Sequence, residues 1–137
     1  MKKLLLALVA STSLFGSAWA VDRDDMIMAL QDYMEMAAFG DGVIMPEQFA
    51  QIRNDAFIID ARQASDYAEH HIPGAVHIDW RFIMSELDQI PEDRLIVVYC
   101  DTGILSSKAH MALRLVGYDQ ARVLFNGLNG WHAHIGQ

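Results

Sequence analysis

Short, largely apolar runs, too brief to be helices, recur along this chain, and each is followed by a stretch with helical spacing. The runs are Val43-Ile44, Phe57-Ile58-Ile59, 75–78, Leu95-Ile96-Val97-Val98-Tyr99 and 122–125. An apolar run without alternation marks a strand buried on both faces. Between the runs, Pro46 opens one helix at the position where proline is best tolerated. Residues 65–69, 82–87 and 106–116 supply three more, the last closed by Gly117, and Trp131 sits on a terminal helix. This alternation predicts an α/β fold of three layers, a mostly parallel sheet of about five short strands with helices on both faces. In such open sheets, sites form at the carboxyl ends of the strands.

The first twenty residues stand apart from that pattern. Lys2 and Lys3 precede an apolar run over 4–10, and Ala18-Trp19-Ala20 has the small-x-small spacing of a cleavage site. These features predict a secretory signal peptide over 1–20, removed before Val21, and a periplasmic location. Ser11, Thr12 and Ser13 cut the apolar stretch too short for a good membrane anchor, so no membrane association is expected after cleavage. Loss of the two lysines takes the formal charge from −8 to −10, which repels nucleic acid and anionic lipid. Residues 21–42 read as a helical extension, with Met26, Leu30, Tyr33, Met34 and Ala37 at helical spacing over 24–39 and a stop at Gly40-Asp41-Gly42. Its methionines suit either a soft copper or partner surface or ordinary core packing, and core packing is the expectation. Residues 43–137 form the main domain.

The most apolar strand runs directly into Cys100, the chain's single cysteine. With no second thiol, an internal disulfide is excluded. Asp101-Thr102-Gly103-Ile104-Leu105 follows, and then a helix for which Ser106 or Ser107 is the expected N-cap. A loop curling from strand to helix aims backbone N–H groups at one point, and Gly103 gives the freedom to curl. A thiolate there is stabilised and reactive. An isolated cysteine is also commonly a small buried hydrophobe, and the residues of the loop alone leave both readings open.

Three further stretches carry a resemblance. They are Ile59-Asp60-Ala61-Arg62, then Tyr67-Ala68-Glu69-His70-His71-Ile72-Pro73-Gly74-Ala75, then Val123-Leu124-Phe125-Asn126-Gly127-Leu128-Asn129-Gly130-Trp131. Respectively they resemble the aspartate-x-arginine, aromatic-x-x-x-His-Ile-Pro-Gly-Ala and leucine-x-Gly-Gly-x-x-x-Trp elements of the rhodanese family, with Cys100 between the second and third. The resemblance implies a rhodanese-like three-layer domain and sulfur transfer through a persulfide on Cys100. The implied partners are a small sulfane-sulfur donor such as thiosulfate and an acceptor that is a thiol, cyanide or a protein. Asp101, Thr102, Gly103, Ile104 and Leu105 would cradle the substrate, and no cofactor is implied. Asp60 and Arg62 are expected to pair or brace a loop, and His71 to pack against the turn. His132 and His134, two apart, do not share a helix face, so no metal site is expected. Asn126 stands where the family has a first glycine, and asparagine tolerates the left-handed conformation.

The loop departs from the family in lacking a cation. Rhodaneses often carry arginine or lysine four or five residues after the cysteine, where this chain has Ile104 and Leu105. Lys108, a turn into the helix, is expected to fall short of the mouth. An apolar rim disfavours a small dianion, so the expected donor is larger or less charged than thiosulfate. Ser106 occupies the position of the arginine in a Cys-x₅-Arg phosphate loop, which argues against phosphatase chemistry. The alternative is a catalytically weak binding module for a periplasmic partner. Thiol redox work ranks last, because the chain offers no resolving cysteine.

Overall fold

The computed structural model describes residues 21–38 and 40–136; the expected signal peptide, Phe39 and Gln137 lie outside the described residues. Ten helices and strands follow in order along them. They are α1 (Arg23–Met36), β1 (Val43–Ile44), α2 (Pro46–Ile52), β2 (Phe57–Asp60), α3 (Ala64–Glu69), β3 (Val76–His77), β4 (Ile96–Tyr99), α4 (Ile104–Leu115), β5 (Ala121–Leu124) and α5 (Gly127–Ile135). The strands form one five-stranded sheet in the order β1-β5-β4-β2-β3, and every pairing is parallel. The expected α/β architecture is therefore the observed one.

Successive side chains of a strand point to opposite faces, and β4 shows what this does with a continuous apolar run. Ile96 and Val98 enter a core with Ile59, Ala109 and Leu113, beneath α4. Val97 and Tyr99 enter a second core with Ile58, Phe49, Leu128 and Trp131, beneath α2 and α5. All four β4 residues are buried. Burial on both faces explains why the strand has no polar alternation and why its carboxyl end is fixed so firmly. Trp131 meets Phe49 edge to face, with ring centroids 5.2 Å apart, which joins the last helix to α2 across that second core.

Two expectations fail here. Residues 82–87 are not an α-helix: two 3₁₀ turns, Ile83–Ser85 and Leu87–Gln89, replace it. The crossover from β3 to β4 must set Ile83, Leu87 and Ile90 against one core, and the longer rise of 3₁₀ turns suits that spacing. Tyr118 Oη donates to the carbonyls of Leu87 and Ile90, each at 3.2 Å, and so ties the second turn to the end of α4. The second failure is α1. Asp22 caps it, its carboxylate accepting from the Asp24 amide at 2.8 Å, but no residue of the helix is buried. Met26, Met28, Met34 and Met36 are all exposed, so they are not core. They also lack the three- or four-residue spacings that would bring two sulfurs onto one face. Among the described residues, no helix is long and apolar enough to cross a membrane.

Candidate active site

Cys100 stands one residue past the end of β4, beside the sheet's central strands. Its Sγ is the focus of the turn that follows. The Gly103 amide donates to it at 3.2 Å and the Ser106 amide at 3.5 Å. Ser106 Oγ lies 3.5 Å away on the same sulfur. Gly103 adopts φ 95°, a left-handed conformation that turns its N–H inward, and α4 begins at the next residue. The curl anticipated from glycine and helix start is present.

The N-cap expected at Ser106 or Ser107 is not. Gly103 occupies that position, and both serine hydroxyls point back one turn to the Gly103 carbonyl, at 3.2 and 2.6 Å. The reason is the shortness of the loop: with α4 starting at Ile104, the serines fall within its first turn, where back-bonding to a preceding carbonyl is their local option. This displacement gives Ser106 a different task. It is wholly buried, and its one hydroxyl proton faces either the Gly103 carbonyl or the sulfur.

Burial of Cys100, which leaves 2% of it exposed, pushes the thiol pKa up. Hydrogen bonds from the Ser106 hydroxyl and amide, and from the amides of Thr102 and Leu105, outweigh that penalty and hold it below the ordinary thiol value. The thiol is thus more acidic than an ordinary one, with no cationic side chain bonded to the sulfur. The α4 amino terminus adds partial positive charge at the same point.

The expected cradle residues divide in their roles. Gly103 supplies a donor directly, while the Thr102 side chain is exposed. Ile104 is 68% exposed and Leu105 half-buried, so they make an apolar rim. Thr102, Gly103 and Ile104 line a cleft of about 690 Å³ that Val43, Met111 and Phe125 make largely apolar. Asp101 turns away toward Arg62, its Oδ1 accepting from Nη1 at 3.1 Å. Lys108 Nζ stands 4.6 Å from the Trp80 ring centroid, and Trp80 shares a separate hollow with Asp101 and Leu105.

Arg62 is the brace that the aspartate-x-arginine spacing suggested, and it reaches further than expected. It grips Asp60 through Nε at 3.0 Å and Nη2 at 2.7 Å, and also donates to the His70 carbonyl. Asp60 in turn accepts from Tyr99 Oη at 2.8 Å, and Tyr99 Oη accepts the Ile72 amide at 3.0 Å. The bond to Asp60 raises the Arg62 pKa, and burial above all raises that of Tyr99. A buried guanidinium paired with two carboxylates and a carbonyl serves as a scaffold for the loop. His71 stacks on Tyr67, ring centroids 3.9 Å apart, as expected of a residue packing against the turn.

The backbone of Cys100 is held from the far side by α5. Leu128 and Asn129 amides donate to the carbonyls of Cys100 and Asp101, at 2.8 and 3.1 Å. Asn126 and Gly127 are both left-handed, at φ 54° and 52°, so asparagine does take the first glycine's conformation. A Cβ on Gly127 would lie 2.1 Å from the Cys100 carbonyl oxygen, which explains the glycine that remains. Ser106 and Tyr99 were the functional neighbours missed in sequence. Ser106 had a signal, its place six residues after the cysteine, whereas Tyr99 read as one more apolar strand residue.

Comparison with known proteins agrees with this geometry. A sulfurtransferase of Allochromatium vinosum is 31% identical over 80 residues, covering 58% of this chain and 75% of that one. The thiosulfate sulfurtransferase GlpE of Coxiella burnetii is 28% identical over 82 residues, covering 60% and 77%. The human single-domain sulfurtransferase TSTD1 superposes with a TM-score of 0.64 at 20% identity, over 69% of this chain and 97% of that one, and shares the fold. The family model for the rhodanese-like domain matches residues 45–134, a span that runs from α2 through the cysteine turn to α5, and the chain belongs to that family.

Proposed function

We propose that this protein is a sulfurtransferase whose Cys100 carries sulfur as a persulfide. The observation that carries the reading is the convergence of the Gly103 and Ser106 amides and the Ser106 hydroxyl on Sγ. Cys100 thiolate attacks the sulfane sulfur of the donor, forming an S–S bond. The donor's own bond to that sulfur breaks, and the electron pair leaves with the remainder, sulfite if the donor is thiosulfate. The new terminal sulfur is anionic, and the N–H groups of the turn offset its charge. An acceptor thiolate or cyanide then attacks the outer sulfur and returns Cys100 as thiolate. The relatives named as sulfurtransferases support transfer in general; the donor is argued from the rim.

That rim favours a donor less charged than thiosulfate, because Ile104 and Leu105 offer no replacement for a dianion's hydration and Arg62 is occupied. An organic persulfide or thiosulfonate meets the requirement. Export through the first twenty residues belongs to the same proposal, and amino-terminal sequencing of the periplasmic fraction tests it, with Val21 as the expected first residue.

Intact mass before and after incubation with donor tests the chemistry. A gain of about 32 Da, removed by cyanide and absent from Cys100→Ala, is the expected result. Absence of any gain with both thiosulfate and an organic persulfide would overturn transfer and favour a binding module.

A further inference from the structure

His70 and His132 are 62 positions apart in the chain, yet their Nε2 atoms stand 2.8 Å from each other. His70 closes α3 in extended backbone, and His132 lies in α5; their ring planes meet at 55°. Both border a hollow of about 470 Å³, together with Arg53, Pro73 and Trp131 and with no carboxylate. A 2.8 Å contact between ring nitrogens is an N–H···N hydrogen bond from one ring to the other, and the two nitrogens that share that proton are placed to share a metal ion instead. Neighbouring His71 is committed elsewhere, its Nδ1 2.8 Å from the Tyr67 carbonyl.

We propose that His70 and His132 form a binding site for a divalent transition metal ion of the zinc, nickel and copper class. Imidazole nitrogen selects that class, whereas calcium and magnesium require oxygen ligands. No group of three or more ligating side chains occurs among the described residues, so water completes the shell. Two nitrogens each about 2.05 Å from a tetrahedral ion lie about 3.3 Å apart. The pair reaches that spacing from 2.8 Å by small rotations of two side chains at the surface. The bound ion joins the end of α3 to α5. These are the two elements that support the cysteine turn, through the His70 carbonyl on Arg62 and the α5 amides on Cys100 and Asp101.

The site is independent of sulfur transfer and is tested without it. Zn²⁺ and Ni²⁺ are titrated by calorimetry into the untagged full chain carrying Cys100→Ala, which removes the one competing thiol. One ion per chain is expected, with a rise in Tm. His70→Asn and His132→Asn should each weaken binding by at least about tenfold, while His134→Asn should leave it unchanged. In the same chain, Ni²⁺ should broaden the ring resonances of His70 and His132 before those of His71. Unchanged affinity in both variants, broadening led by other histidines, or no binding up to millimolar metal overturns the proposal.

Discussion

At the scale of single residues, the site is one sulfur whose charge is carried by amides and a serine. Ser106 is the residue whose removal reports on that arrangement. In the protein, Cys100 stays a thiolate to lower pH than an ordinary thiol, because hydrogen bonds to the anion outweigh its burial. Ser106→Ala deletes one such bond, so the pH at which iodoacetamide alkylation reaches half its plateau should move upward. An unmoved midpoint would mean that the backbone alone sets the thiolate. The rim makes a separate prediction. Ile104, 68% exposed beside the loop, becomes a cation in Ile104→Arg, and one charge-assisted bond of about 1.5 kcal/mol corresponds to a KM for thiosulfate lower by about tenfold. Steady-state assay of parent and variant decides it; an equal KM would remove the rim as a basis for the proposed donor preference. Cys100 was legible in sequence because a lone thiol follows the chain's most apolar strand. Ser106 was legible as a cap and by its place six residues after the cysteine but not as a partner of the sulfur, since hydroxyl direction depends on where the helix begins.

Among the elements, α4 and α5 meet end-on at the cysteine, one offering amides to the sulfur and the other to its carbonyl. Gly127 sets that α5 contact. Gly127→Ala adds a Cβ 2.1 Å from the Cys100 carbonyl oxygen at φ 52°, a backbone clash that should cost about 3 kcal/mol or more. Gly117→Ala shares the left-handed φ, 97°, but meets open space, so its cost should stay near about 1 kcal/mol. Urea unfolding of the two variants separates strain from collision, and equal losses would show that the α5 approach is looser than the structure has it. The strands were legible to within a residue or so because burial on both faces leaves an apolar run. The 3₁₀ turns after β3 were not, because the spacing of Ile83, Leu87 and Ile90 fits a helix as well. Tyr118, distant in sequence, anchors the second turn through the Leu87 and Ile90 carbonyls.

For the molecule as a whole, polar groups buried between elements tie the layers together, and one of them gives stability a pH dependence. His110 on α4 is buried, with Nε2 3.1 Å from the Ala121 carbonyl on β5, and its ring fills the space where a Gly42 side chain would be. Burial lowers its pKa below the ordinary 6.5. Between its depressed folded-state pKa and the ordinary 6.5 the unfolded chain binds the proton and the folded chain does not, so acidification through that window favours unfolding. Urea midpoints at pH 7 and pH 5 should therefore converge in His110→Gln relative to the parent, and an undiminished difference would assign the acid loss to other groups. The Asp60–Arg62–Asp101 bridge works at this scale too, linking the ends of β2 and α3 to the cysteine turn.

Sequence by itself determined the layered α/β fold and the position of the sulfur at a strand end, because these follow from local periodicity, turn chemistry and a single thiol. Tertiary structure alone decided that the α1 methionines stay exposed, that Arg62 is spent on Asp101 and the His70 carbonyl, and that His70 meets His132. Those outcomes depend on which distant segments the sheet order brings together, and local periodicity carries no record of that distance.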